Sequence, residues 1–399
     1  MKRLLALFLS VLMVLSLAAC SQPAENGSDA QAPASDAAPA EDGQAPAQDS
    51  GDPIRFAVVG AMTGDSANTG IQQEWGVKLA VQEINDAGGI NGRMLEYEVF
   101  DDQLIPNQAV ICAEKIVADG NFDFVVSPIS SGCTLASNPM FESAGLPVIS
   151  ATNTADHLTE QGFKNFLRIC PTAGANLVQL VELAVDTYGV KAPAIFYTTA
   201  EVDTSSFETC VELLKEKGIE VVASAAVEAE TEKDYNSHIA NFKDAGADAI
   251  FCFSEYAPSA LFVKQQYALG YDVQQFSLSG TCNPQFIEIA GKEASEGFIT
   301  MSAFDATNPR EQVQEFVKKY QELSDIVPGE WGAGGYDTVY VAAEAFKAGA
   351  TKENMIEWLR ENCNYQGVTG MISFDEKGDN PSAKALILQV KDGQYTVVE

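Results

Sequence analysis

A strand-length apolar run followed by a helix-length amphipathic one recurs along this chain, twice over, with glycines at the breaks. The first round opens at 54–59, a run that begins with alternation and stops at Gly60. After a loop marked by Gly64 and Gly70, residues 71–87 place Trp75, Leu79 and the stretch 81–84 at helical spacing, and Gly88-Gly89 ends them. Strands are predicted at 95–100, 122–127 and 146–150, with helices at 108–118 and 134–144. The second round starts near Thr172, with helices at 177–188, 207–217, 235–245 and 259–269 and strands at 194–197, 220–224, 249–253 and 275–279. Such alternation calls for parallel sheets covered by helices on both faces. Two rounds predict two doubly wound α/β lobes of similar size. Ligands of these folds sit outside the carboxyl ends of the strands. The loops that matter are therefore 60–70, 127–134, 150–155, 198–206, 254–258 and 279–284.

The start of the chain reads differently. Lys2 and Arg3 precede an apolar run from 4 to 17, which ends in Leu17-Ala18-Ala19-Cys20. The run is too short for a spanning helix, which needs about 20 residues, and has the layout of a secretory signal. A Cys directly after Leu-Ala-Ala resembles the lipobox of bacterial lipoproteins, which implies a signal at 1–19 and a lipid on Cys20. Residues 21–52 hold no Lys, Arg or aromatic residue and are rich in Ala, Pro, Ser, Asp and Glu. They cannot bury enough apolar surface to order themselves, so 20–52 is expected to be a lipidated tether.

Charge and motif content exclude several functions. The formal net charge is −32, which argues against nucleic acid, since affinity there comes from Lys and Arg on phosphates. It argues equally against a basic membrane face. Two histidines leave little room for a His-rich metal site or His acid/base catalysis. The chain has no phosphate-cradling glycine motif, no nucleophile elbow and no zinc-protease motif. No cofactor is expected. His157 and His238 have no recognisable partner in the sequence. Asp101-Asp102 ends a strand, and holding a loop by hydrogen bonds is the simpler reading than acid/base work. The stretch 375–379 lacks the spacing of a calcium loop and reads as a hairpin turn. The seven cysteines after Cys20 are widely spaced with no C-x-x-C. They read as buried thiols, with a Cys112–Cys133 disulfide as the alternative.

The ligand-side loops offer hydroxyls and amides instead. Ser130-Ser131-Gly132 precedes a helix whose start presents backbone N–H groups and a positive dipole end, suited to a carboxylate. Thr152, Asn153 and Thr154 follow the next strand. Each of these fits plain helix capping too; together, at the ends of neighbouring strands, they resemble an anion pocket.

The stretch 57–64 (AVVGAMTG), 81–92 (VQEINDAGGING), Asp101-Asp102, 148–159, Gly334-Gly335-Tyr336-Asp337 and 374–379 occur in an order that resembles the leucine/isoleucine/valine-binding proteins of ABC transporters. These are periplasmic binding proteins of the type I fold, and the resemblance covers nearly all of 53–399. It implies two lobes joined by three crossovers, placed near 171, 303 and 367. One lobe is then 53–171 plus 303–366, the other 172–302 plus 367–399. Ser131, Thr152 and Thr154 fall where the family holds an amino acid's carboxylate, and Tyr256 where an aromatic of the second lobe closes on it. The family's acidic residue near 279–281, which holds the ammonium, is replaced by Ser279-Gly280-Thr281. Asp203 and Glu255 are the expected substitutes. Tyrosines of the loops 60–70 and 198–206 are also missing, with Thr69 and Asp203 nearest. Trp331 and Tyr336 are expected either as an aromatic wall or as core. The implied protein is a monomeric extracytoplasmic lipoprotein, not an enzyme, that delivers an amino acid, branched-chain or otherwise apolar, to a membrane permease. The same fold binding a small amide or carboxylate, or sensing a ligand for a signalling partner, is the alternative.

Overall fold

The computed structural model describes residues 51–64 and 66–398. The predicted signal, Cys20 and the tether as far as residue 50 lie outside the described residues. The first sheet comprises β1 (Ile54–Gly60), β2 (Leu95–Asp101), β3 (Phe124–Val126), β4 (Val148–Ser150) and β5 (Phe166–Arg168). Between them run α1 (Ala67–Asp86), α2 (Pro106–Asp119), α3 (Ser131–Ser143) and α4 (His157–Glu160). The strands are all parallel, in the order β2-β1-β3-β4-β5.

The second round contains α5 (Ala173–Glu182), β6 (Pro193–Thr198), α6 (Glu201–Glu216), β7 (Ala223–Val227) and α7 (Asn236–Asp244). It continues through β8 (Ala249–Phe253), α8 (Tyr256–Ala268), β9 (Gln274–Ser277), α9 (Pro284–Ala290), α10 (Lys292–Ser295) and β10 (Ile299–Ser302). Its parallel strands lie in the order β7-β6-β8-β9-β10, the topology of the first sheet repeated. Both sheets therefore reverse direction beside their first strand, and the loops of both switch points open at carboxyl ends.

The chain then returns to the first lobe. The helices α11 (Glu311–Ser324), α12 (Glu330–Lys347) and α13 (Met355–Asn362) are followed by a small ladder, β11 (Tyr365–Gln366) with β12 (Met371–Ile372). Val313, Val339, Leu359, Val368, Ile372 and Phe374 share one apolar core with Phe56, Val58 and Phe124 of the first sheet. The third passage thus falls after Phe374 rather than near 367, because Ile372 and Phe374 are still buried in the first core. Finally β13 (Leu386–Lys391) and β14 (Gln394–Val397) join the second sheet antiparallel, beside β10. That sheet is mixed and not purely parallel. The turn Asp392-Gly393, with φ of 53° and 75°, is the left-handed pair that a two-residue hairpin needs.

Several helices begin earlier than their apolar periodicity does: α3 at Ser131, α6 at Glu201, α8 at Tyr256. The first turns of α3 and α6 carry Ser131 and Asp203, which line the space between the lobes. The strand expected at 220–224 lies at 223–227. The turn at 375–379 is centred on the Asp375 carboxylate, which accepts from the N–H groups of Lys377, Gly378 and Asp379. It joins strands of different sheets and not the arms of a hairpin. All seven cysteines after Cys20 are free thiols, which removes the Cys112–Cys133 disulfide.

Close contact between α1 and α12 sets the position of residues 330 and 331. A Cβ on Gly76 would lie 1.9 Å from the carbonyl oxygen of Gly332, and one on Gly335 would lie 2.5 Å from that of Gln73. Backbone, not a movable side chain, fills the space. Gly76→Ala is expected to lower stability by about 1–3 kcal/mol through overpacking. Thermal unfolding measures it, and an unchanged midpoint would contradict the packing described.

Candidate functional site

Two buried side chains build the floor of the cleft. Asn153 donates to the carbonyls of Pro128 and Ile129 at 3.0 and 2.8 Å, and its oxygen accepts from Ser127 and Thr134. It pins the loop after β4 to the loop after β3. Arg168, at the end of β5, is fully buried. It donates to the carbonyls of Asn153 (3.1 Å) and Ala155 (2.7 Å), to the Thr159 hydroxyl and to the Asp379 carboxylate. Asp101 holds the loop after β1 by accepting from Met62 N–H and the Thr63 hydroxyl, so the structural reading of Asp101-Asp102 stands.

On this floor the cleft encloses a cavity of about 70 Å³. Five of the six residues expected to bind ligand line it: Ser131, Thr152, Thr154, Asp203 and Glu255. Ser131 opens α3, which no side chain caps. Its first-turn N–H groups and dipole therefore favour an anion. Asp203 and Glu255 enter from the second lobe, on the first turn of α6 and just before α8. Tyr256 does not line the cavity. As the first residue of α8 it turns inward and is buried in the second lobe's core with Phe196, Phe262 and Tyr235.

Glu330 and Trp331, which open α12, complete the lining. Glu330 has no apolar pattern to mark it, and its signal was only its place before Trp331 in Gly329-Glu330-Trp331. Tyr336 belongs to the core, with its ring against Phe316 and its hydroxyl donating to Glu83 at 2.6 Å. Of Trp331 and Tyr336, Trp331 reaches the cleft.

The three carboxylates share one electrostatic problem. Burial lifts the Asp203 carboxyl to about 7, although Thr198 donates to it. Burial lifts Glu330 to about 7 against bonds from Ala303 N–H, Ser279 and Ser302. Burial and the negative charges of Asp203 and Glu330 push Glu255 to about 8. No Lys or Arg lines this cavity. Among the described residues no group of three or more His, Cys, Asp or Glu is placed to hold a metal ion. The cavity thus pairs an anion-binding helix start with an anionic wall that lacks a counter-charge.

The lobes touch on both flanks of the cavity. His157 Nδ1 lies 3.0 Å from Glu201 of α6, which supplies the partner that the sequence did not reveal. Asn68 of α1 donates to Asn283 of the second lobe at 3.2 Å, and Val202 packs against the first lobe's core.

The sequence profile of the family described as periplasmic binding protein matches residues 53–394. The chain belongs to the periplasmic binding protein family. It is a solute-binding protein of the type I fold and not an enzyme. It is 32% identical over 337 residues to the leucine-, isoleucine-, valine-, threonine- and alanine-binding protein of Pseudomonas aeruginosa, covering 82% of this chain and 87% of that one. It is 28% identical over 340 residues to the Leu/Ile/Val-binding protein of Escherichia coli, covering 82% and 88%. The branched-chain amino acid substrate-binding protein LivJ of Streptococcus pneumoniae, solved with isoleucine, superposes with a TM-score of 0.81 at 24% identity over 87% of this chain and 99% of that one. A solute-binding protein from Rhodopseudomonas palustris, solved with 3,4-dihydroxybenzoic acid, superposes with a TM-score of 0.78 at 22% identity, covering 87% and 96%.

In this periplasmic binding protein the Arg168 network holds Thr152 and Thr154 in place. Removing one partner of a buried ion pair typically costs about 3–5 kcal/mol. Arg168→Met should lower stability by about that much, read by urea unfolding. A loss under about 1 kcal/mol would mean that the loop does not depend on it.

Proposed function

We propose that this chain is the extracytoplasmic solute-binding lipoprotein of an ABC importer. It holds an amino acid, branched-chain or otherwise apolar, between its lobes and presents it to a membrane permease. The observation that carries this reading is the polarity of the cavity. The α3 start with Ser131, Thr152 and Thr154 lies on one lobe, and Asp203 and Glu255 on the other, with Glu330 beside the hinge. A zwitterion matches that arrangement: its carboxylate meets N–H and hydroxyl donors, and its ammonium meets carboxylates. Ile129, Val202, Phe253, Leu278 and Trp331 give the side chain an apolar wall. The names of the Pseudomonas and Escherichia relatives support the same ligand class. An aromatic acid without an ammonium, as in the Rhodopseudomonas neighbour, would leave three carboxylates unmatched.

The ligand bridges both lobes, so it favours the closed arrangement and shifts the population toward it. The lipobox-like Cys20 and the tether hold the domain at the membrane, where the closed form docks on the permease as a monomer.

Ser131→Ala and Thr154→Ala should each weaken leucine binding about tenfold or more, since bonds to charged groups contribute about 1.5–3 kcal/mol. Calorimetry reads this, and unchanged affinity in both variants would remove the carboxylate assignment. An ammonium needs ionised partners, so affinity should rise with pH between about 6 and 8, as Asp203, Glu255 and Glu330 ionise. Stability of the unliganded protein should fall from the ordinary carboxylate range, about pH 4, up to about pH 8. Below the ordinary carboxylate range the groups are protonated in folded and unfolded chains alike; above it the folded state retains protons that the unfolded one has lost. A flat affinity profile from pH 5.5 to 8.5 would count against the carboxylates as ammonium partners.

A further inference from the structure

We propose that the cleft also takes amino acids that carry a second cationic nitrogen on the side chain, of the diamino-acid class. This rests on the amino-acid reading above and widens its ligand class. An apolar zwitterion brings one ammonium. The cavity presents three carboxylates, from the first turn of α6, the residue before α8 and the first turn of α12.

Of the three acids, Glu255 is the one with a buried oxygen left unmet. It stands at the N-cap of α8, yet its carboxylate makes no capping bond, and its Oε2 is buried without a partner. Gly280 keeps the space beside it open: a Cβ there would come within 3.1 Å of the Ser254 carbonyl oxygen and 3.7 Å of the Glu255 carboxyl carbon. Glu330 lies toward the hinge, where a second cavity of about 30 Å³ shares Thr152, Thr154, Ser279 and Glu330 with the first. The only Lys or Arg lining that second cavity is Lys384, an exposed residue.

The acids come from three different elements, and the charges of Asp203 and Glu330 both act on Glu255, so one ligand ammonium leaves carboxylates for a second cation. Val202, Phe253, Leu278 and Trp331 supply the apolar surface along which methylenes between two amino groups would lie. A carboxyl left without a cation in this buried setting keeps its proton. A second ammonium replaces that proton with an ion pair.

The test is titration calorimetry of the full chain at pH 8 with L-ornithine and L-norvaline, which share a carbon chain and differ by the δ-amino group. Ornithine should bind at least tenfold more tightly. At least one of Glu255→Gln and Glu330→Gln should bring the ornithine-to-norvaline ratio close to one. The wild-type ratio decides the matter even if a variant fails to fold. Norvaline binding as tightly as ornithine, or more so, overturns the second cation and leaves the amino-acid reading intact. With 1,4-diaminobutane as a third probe, affinity equal to that of ornithine would keep two cations but remove the carboxylate station and with it the amino-acid reading. Binding by none of the three overturns both.

Discussion

The cleft depends on one buried guanidinium. Arg168 has no exposed surface, so each of its donors must be met inside the protein. It meets the backbone of the loop after β4 and the Thr159 hydroxyl on one side and Asp379 on the other. The first contacts shape the loop that carries Thr152 and Thr154. The last ties that loop to the third passage between lobes, close to the turn built on Asp375. A single buried charge thus fixes the ligand-side loop relative to the hinge. Asn153 extends the same order to the loop after β3, and so to Ser131 at the start of α3.

Against this rigid floor stands a wall of carboxylates with no cation of its own. Burying a charge without a partner is costly, and the acids respond by holding protons near neutral pH. The unliganded cleft is therefore electrostatically incomplete. In the proposed function, a cationic group on the ligand offsets that cost and so favours the occupied state. The His157–Glu201 and Asn68–Asn283 contacts lie outside the cavity and are made only where the lobes meet. They join the lobes without lining the cavity.

The fold was legible because its signal is periodic and repeated. Runs such as 54–59 and 249–253 have few other places to go than the centre of a sheet, and the helices between them force parallel crossovers. What escaped were elements without that signature. The strand Phe166–Arg168 ends on an Arg that no hydropathy pattern would bury. The first turns of α3 and α6 are largely polar and that of α8 holds a proline, so the starts of these helices read as loops. The final strands reach the second sheet from a distant part of the chain, and no local pattern assigns them to it. The same limits apply to the site. Ser131, Thr152, Thr154, Asp203 and Glu255 stand at the ends of strands or the starts of helices, where topology alone points. Tyr256 stands there as well, but the first turn of α8 directs it into the core.

The sequence by itself determined two α/β lobes, the loops that face each other and the hydroxyls on the first of them, because strand and helix periodicity is local and crossover handedness is general. The tertiary structure alone added Glu330 to the acids that line the cavity. Asp203, Glu255 and Glu330 are separated by 52 and 75 residues in the chain, and no local pattern joins them. Only the packing of α12 against α1, through glycines that admit backbone contact, brings Glu330 to the same space as the other two.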